Sequence, residues 1–115
     1  MSFFYDLETS VVYNTAYRRV IYTDSHIQLV YMSLDPKVEI GTETHANTTQ
    51  FIRVEEGKGI AVVAGEVKIL YPGAAVIVPA GTQHNIINIS SKKLKLYTIY
   101  SPPEHRPGLV EKRKN

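Results

Sequence analysis

The chain has 115 residues, of which 43% are hydrophobic and 21% are charged, and its formal net charge at pH 7 is only +2. This length and composition are typical of one compact globular domain and exclude an extended disordered chain. The small net charge predicts no nucleic-acid partner, and the absence of cysteine excludes disulfides, thiolate metal sites and cysteine nucleophiles.

The first 17 residues are weakly patterned, and we expect them to form an arm with Phe3, Phe4 and Tyr5 as apolar anchors. This start lacks the basic segment and the long apolar segment of a secretory signal. No apolar run in the sequence approaches the ~20 residues of a membrane span. We therefore expect a cytoplasmic protein with no membrane partner.

The rest of the chain consists of short apolar and β-branched runs separated by turn residues, with no helical period of useful length. The sequence Glu56-Gly57-Lys58-Gly59 is typical of a hairpin turn. Three prolines after residue 101 are expected to exclude regular structure from the tail. The predicted strands are 18–23, 26–34, 38–41, 49–55, 60–64, 67–70, 74–78, 84–89 and 94–100.

About nine short strands at close spacing predict an all-β barrel or sandwich. We divide the chain into an N-terminal arm at 1–17, a barrel at 18–103 and a C-terminal tail at 104–115. The two-residue period of a strand predicts that Ile52 and Val54 share a face with Gln50, and that Ile86 and Asn88 share a face with His84. These faces would line the interior of the barrel.

Two stretches of the chain contain side chains that can bind a metal. Glu43 and His45 are two residues apart, so on one strand both side chains would lie on the same face. Gln50 opens an apolar run in the predicted strand 49–55, and His84 opens the predicted strand 84–89. Two imidazoles with a carboxylate and an amide oxygen suit Fe(II), Mn(II), Ni(II) or Zn(II), in an open site of the catalytic type. We predict one divalent metal ion held by Glu43, His45, Gln50 and His84.

Both stretches resemble the two sequence motifs of the cupin family. Residues 73–88 match the second motif, G-x5-P-x-G-x2-H-x3-N, at every specified position. Residues 43–57 match the first motif, G-x5-H-x-H-x4-E-x6-G, in spacing, but Glu43 replaces a histidine and Gln50 replaces the glutamate. Lys37 also stands where the leading glycine is expected. The resemblance implies a small jelly-roll β-barrel that binds a small-molecule ligand.

The candidate ligands are also similar to those of cupin-type phosphomannose isomerases, which use two His, one Glu and one Gln with the Glu and Gln positions reversed. We therefore favour a metal-dependent isomerase or epimerase that acts on a small carbonyl-bearing or sugar-like substrate. A metal-dependent dioxygenase and a non-enzymatic small-molecule-binding module stay open, because a fold does not determine function. No further carboxylate lies at a motif position, so the sequence predicts no general base.

Three further expectations concern histidines and assembly. His26 and His105 have no partners at ligand spacing, so we expect both to be ordinary surface residues. The apolar residues of the arm are difficult to bury on so small a barrel, and an exposed sheet edge favours pairing. We therefore expect a homodimer, the commonest closed assembly.

Overall fold

The structure is a computed structural model that describes residues 2–114. Its elements in chain order are α1 (Leu7–Tyr13), β1 (Arg18–Thr23), β2 (Gln28–Leu34), β3 (Thr49–Glu56), β4 (Gly59–Val63), β5 (Glu66–Leu70), β6 (Ala75–Val78), β7 (His84–Ile87), β8 (Leu94–Ser101) and β9 (Val110–Glu111). The prediction of an all-β fold is confirmed, because strands dominate and the helix is short.

The strands form two antiparallel sheets. The larger sheet has the order β6-β3-β8-β2-β1-β9, and the smaller has the order β5-β4-β7. One buried cluster contains Met32 and Leu96 from the larger sheet together with Ala61 and Ile86 from the smaller. The two sheets therefore enclose a single apolar core, as in a jelly-roll barrel.

The alternation of buried and partly exposed residues in β3 shows which face points into the barrel. Gln50, Ile52 and Val54 are at most 4% exposed, whereas Phe51 and Arg53 between them are partly exposed. Ile86 and Asn88 are also buried. The predicted interior faces are thus confirmed. The candidate metal ligands Gln50 and His84 lie on the same faces, near the start of their strands.

The arm contains a helix, which the sequence analysis does not predict. The Asp6 carboxylate caps α1 by accepting a hydrogen bond from the Thr9 backbone N–H at 3.3 Å. Val11 is fully buried and packs with Tyr31 and Tyr97 on the outer face of the larger sheet. A seven-residue segment is too short to display a clear helical period, and such a helix is stabilised by packing rather than by its own propensity. Within residues 2–114, no helix has the length and apolar character needed to cross a membrane.

Two other expectations about regular structure are wrong. Val110–Glu111 form strand β9, which pairs with Arg18 and Arg19 of β1. The prolines do not prevent this pairing because the last of them is Pro107. Residues 38–41 form no strand, and the backbone there makes only an isolated bridge between Glu39 and Ile87. The division into arm, barrel and tail stays a prediction.

The turn from β3 to β4 requires glycine at position 57. Gly57 has φ +93°, and a Cβ placed on it would lie 2.5 Å from the carbonyl oxygen of Lys93. Any other residue would combine an unfavourable backbone conformation with a steric clash. The final glycine of the first motif therefore has a structural role at the end of the barrel opposite the candidate ligands.

Candidate metal centre

Backbone hydrogen bonds hold the two motifs together. The N–H of Glu43 donates to the carbonyl of His84 at 2.8 Å, and the N–H of His84 donates to the carbonyl of Glu43 at 2.9 Å. The carbonyl of His45 accepts a hydrogen bond from the N–H of Gly81 at 2.8 Å. Glu43 and His45 therefore lie against the start of β7 although they do not belong to a regular strand of their own.

The side chains of Glu43, His45 and His84 converge. Each offers one ligand atom, and these atoms all lie within 4.8 Å of one another. The two imidazole rings have their centroids 5.2 Å apart. His84 is 4% exposed and the His45 side chain is 8% exposed, while Glu43 is half-buried. This cluster of two imidazoles and a carboxylate is able to bind a metal ion.

The oxygen atoms beside the two rings favour the tautomer that leaves Nε2 free as a ligand. Nδ1 of His84 lies 2.9 Å from the carbonyl oxygen of Thr82, and Nδ1 of His45 lies 3.4 Å from Oε1 of Glu104. A carbonyl and a carboxylate can only accept, so the proton of each neutral ring belongs on Nδ1. Both Nε2 atoms are buried and have no hydrogen-bond partner within residues 2–114. Metal-ligating histidines have this arrangement of outer partners.

Gln50 offers a fourth donor of the same kind. Its side chain is buried, and its Nε2 donates to the Thr98 hydroxyl at 2.9 Å. The remaining amide atom, Oε1, is buried without a partner in the part of the chain that the structure describes. Each buried polar atom without a partner costs about 1–3 kcal/mol of folding free energy. Three such atoms, His45 Nε2, His84 Nε2 and Gln50 Oε1, lie within the two motifs and need a common explanation. A divalent ion fits these donors, because it accepts electron pairs from imidazole nitrogens and amide oxygen alike.

Tyr100 and His105 border the cluster, and the sequence analysis did not identify either as part of a site. The Tyr100 ring meets His45 edge-on at 5.8 Å between centroids, and its hydroxyl lies 3.3 Å from Nε2 of His105. The expectation that His105 is an ordinary surface histidine is wrong, because it is half-buried beside the cluster. His26 is exposed, as predicted.

Electrostatics keep both of these bordering groups neutral at pH 7. Burial, together with the positive charge of nearby Arg18, lowers the pKa of His105 to about 4. Burial also raises the pKa of the Tyr100 hydroxyl well above its ordinary value. The candidate centre is thus bordered by a neutral imidazole and a neutral phenol that share a hydrogen bond.

Gln28 fixes the tail segment that carries Glu104 and His105. Its Oε1 accepts from the N–H groups of Glu104 at 3.1 Å and His105 at 2.9 Å. Its Nε2 donates to the carbonyl of His105 at 2.7 Å and to the Thr23 hydroxyl at 3.0 Å. Gln28 is fully buried, so these bonds form without competition from water. No sequence pattern indicates this contact, because Gln28 and Glu104 are 76 residues apart.

Comparison with known proteins agrees with this fold. The cupin domain family matches residues 30–100. Protein L612 of Acanthamoeba polyphaga mimivirus is 49% identical over 106 residues, covering 88% of this chain and 66% of that protein. The crystal structure of BH2720 from Bacillus halodurans is 36% identical with a TM-score of 0.95, covering 97% of this chain and 89% of that one.

More distant solved structures share the fold alone. A sugar phosphate isomerase of the cupin superfamily from Silicibacter pomeroyi is 20% identical with a TM-score of 0.63, covering 69% of this chain and 52% of that one.

YrkC of Bacillus subtilis, a relative by sequence, is 43% identical over 108 residues that cover 88% of this chain and 58% of YrkC. The chain thus spans less than two thirds of the length of L612 and YrkC. The family match, the identities and the motif geometry together establish that this chain belongs to the cupin family.

Proposed function

We propose that Glu43, His45, Gln50 and His84 hold one divalent metal ion. The observation that carries this proposal is the set of three buried, unpartnered atoms, Nε2 of His45, Nε2 of His84 and Oε1 of Gln50. The metal is of the Fe, Mn, Ni or Zn type because every donor is nitrogen or oxygen.

We further propose that the protein is a metal-dependent isomerase or epimerase that acts on a small carbonyl-bearing or sugar-like substrate. Such an ion supplies Lewis-acid polarisation of a bound oxygen, and one carboxylate with three neutral donors leaves it a formal charge of +1. The similarity of the ligand types to cupin-type phosphomannose isomerases supports this choice. The fold likeness to a protein named as a sugar phosphate isomerase is compatible with it.

The side chains around the metal ligands have roles of their own in this proposal. Glu104 and the Thr82 carbonyl hold the Nδ1 protons of His45 and His84 and so orient the rings. Tyr100 Oη and His105 Nε2 lie 3.3 Å apart and are both neutral at pH 7. This pair can hold one proton between its two atoms and present it at Tyr100 Oη to an oxygen of the substrate.

The proposal is tested by proton exchange. Metal-loaded protein is incubated in D2O with a panel of small aldoses and 2-oxo sugars, and NMR follows deuterium at the carbon next to the carbonyl. An isomerase that moves this proton incorporates solvent deuterium, whereas the double variant His45→Ala, His84→Ala incorporates none. Consumption of O2 in the same reactions would instead support a dioxygenase. Saturable binding without exchange or oxygen consumption would support a binding module.

A further inference from the structure

A buried arginine also lies inside the barrel and has no role in metal binding. Arg18 stands two residues before Val20 in β1, on the face that points into the inner core. Its side chain is only 12% exposed, and its Cζ lies 5.2 Å from the centroid of the Tyr17 ring. Burying a guanidinium is costly unless its charge and its N–H groups find partners.

One N–H group of this guanidinium is paired with a carboxylate, and another is left without a partner. Glu111 of β9 accepts a hydrogen bond from Nη1. Nε is buried and has no hydrogen-bond partner within residues 2–114. In the planar guanidinium, Nε and the neighbouring Nη2 present two parallel N–H donors, a geometry that matches the two oxygens of a carboxylate. The structure therefore leaves Nε unpaired on the side of the guanidinium that can bind a carboxylate.

Arg18 is close enough to influence the groups that border the candidate metal centre. Its positive charge partly offsets the rise that burial causes in the pKa of Tyr100, and it helps to lower the pKa of His105. Tyr100 in turn contacts His45. Tyr17, which packs under the guanidinium, belongs to the same buried cluster as Tyr100. The proposed metal would provide a partner for three buried atoms on this side of the barrel that otherwise have none, namely His45 Nε2, His84 Nε2 and Gln50 Oε1. A metal cannot satisfy Arg18 Nε, because Nε is a cationic donor that needs an anionic oxygen.

We propose that the Nε edge of Arg18 binds the carboxylate of the substrate. The substrate class is then a small carboxylic acid that also carries a carbonyl or hydroxyl oxygen for the metal. The second half of this assignment rests on the proposed metal function, whereas the Arg18 contact does not. Glu111 and Tyr17 act as positioning residues, since they hold the guanidinium in place without taking its Nε edge.

The test uses pyruvate as the probe and compares it with methyl pyruvate, which has the same carbonyl but no charge. Isothermal titration calorimetry measures both probes, and inorganic phosphate, on metal-loaded wild type, Arg18→Lys and Arg18→Gln. Arg19→Gln is the matched control, because Arg19 is the next residue of β1 and its Nε bonds to Asn14 instead. Pyruvate affinity should fall about tenfold to a hundredfold in both Arg18 variants, the loss expected for a charge-assisted hydrogen bond, and should be retained in the control.

Elemental analysis of each sample separates the two proposals. If wild type contains no metal, the proposed function fails. If wild type contains metal and binds pyruvate but Arg18→Gln binds it equally well, only the Arg18 proposal fails. Binding of methyl pyruvate as tightly as pyruvate, or of phosphate in preference to pyruvate, would also overturn the carboxylate assignment.

A second measurement follows pyruvate binding by NMR in the wild-type protein alone. In 15N-labelled wild type, the Nε–H resonance of Arg18, assigned by its loss in Arg18→Lys, should move as pyruvate is added. The resonance of Arg19 should stay in place. An Arg18 signal that does not respond to saturating pyruvate contradicts the proposal even if the substituted proteins fold poorly.

Discussion

Oε1 of Glu104 lies 3.4 Å from Nδ1 of His45, and this contact joins the C-terminal tail to the first cupin motif. Gln28 fixes the backbone of Glu104, so the carboxylate is held rather than merely nearby. A carboxylate in this position orients the imidazole and increases the basicity of its other nitrogen. The tail is thus part of the candidate metal centre.

Glu104→Gln should weaken metal binding without unfolding the barrel. Loss of such an outer partner typically lowers metal affinity about 10- to 100-fold. Competition with a fluorescent chelator measures the affinity of wild type and variant. The matched control is Glu66→Gln, because Glu66 is exposed and pairs only with Lys68. Equal affinities in wild type and Glu104→Gln would show that this carboxylate does not support His45.

The metal content should follow the four candidate ligands. Purified wild type is expected to hold close to one first-row divalent metal per chain. His45→Ala and His84→Ala should each abolish binding, whereas Gln50→Ala should weaken it less, because a neutral amide is the poorest donor of the four. Elemental analysis after gel filtration gives the stoichiometry. Full occupancy in the double histidine variant would rule out the site.

Removal of the metal should lower the melting temperature and leave a folded barrel. A ligand that binds only the folded state at a hundredfold excess over its Kd stabilises it by about 2.7 kcal/mol. The inner core does not depend on the metal, so the chelated protein should still unfold cooperatively. Calorimetry with and without a chelator at pH 7.5 tests this, and the double variant His45→Ala, His84→Ala serves as the control. Coincident curves for wild type would contradict the prediction.

His105 should make the chelated protein less stable in acid. Its pKa of about 4 in the fold lies below the ~6.5 of an unfolded chain, so the unfolded state binds the proton first. The stabilisation is complete above pH 6.5 and is lost as the pH falls towards 4. The free energy of unfolding of wild type relative to His105→Gln should therefore drop by roughly 1–2 kcal/mol between pH 7 and 4.5, a figure reduced for solvent screening of the half-buried ring. Urea titrations of both proteins measure this difference in unfolding free energy at each pH. A difference that does not change with pH would contradict the lowered pKa of His105.

The protein is expected to form a homodimer through apolar residues that the single chain leaves exposed. Phe4 is 92% exposed and Tyr13 is 79% exposed, and a second copy of the chain could cover both. Light scattering over a range of concentrations should give twice the chain mass, and Phe4→Ser should shift the equilibrium towards monomer. Lys58→Ser is a control on a different loop. A monomer mass at every concentration would contradict the prediction.

The sequence by itself determined most of the strands and the candidate donors, because both depend on short-range patterns. The limits of β1 are those that its β-branched and aromatic run predicts, and the alternation in β3 identifies Ile52 and Val54 as interior. Glu43, His45, Gln50 and His84 were identified by spacing within two motifs. A two-residue period specifies which face of a strand is buried, and motif spacing specifies which side chains start from the same end of the barrel.

Only the tertiary structure decided which distant residues meet these donors. Glu104 reaches His45, His105 reaches Tyr100, and Glu111 pairs with Arg18 across 93 residues of sequence. These contacts exist because β8 lies between β2 and β3, and because β9 returns to the edge of β1. Strand order is set by how the two sheets close around a common core, a property of the whole chain that no local pattern encodes. For the same reason the helix α1, which depends on burying Val11 against the outer face of the larger sheet, became visible only in the folded protein.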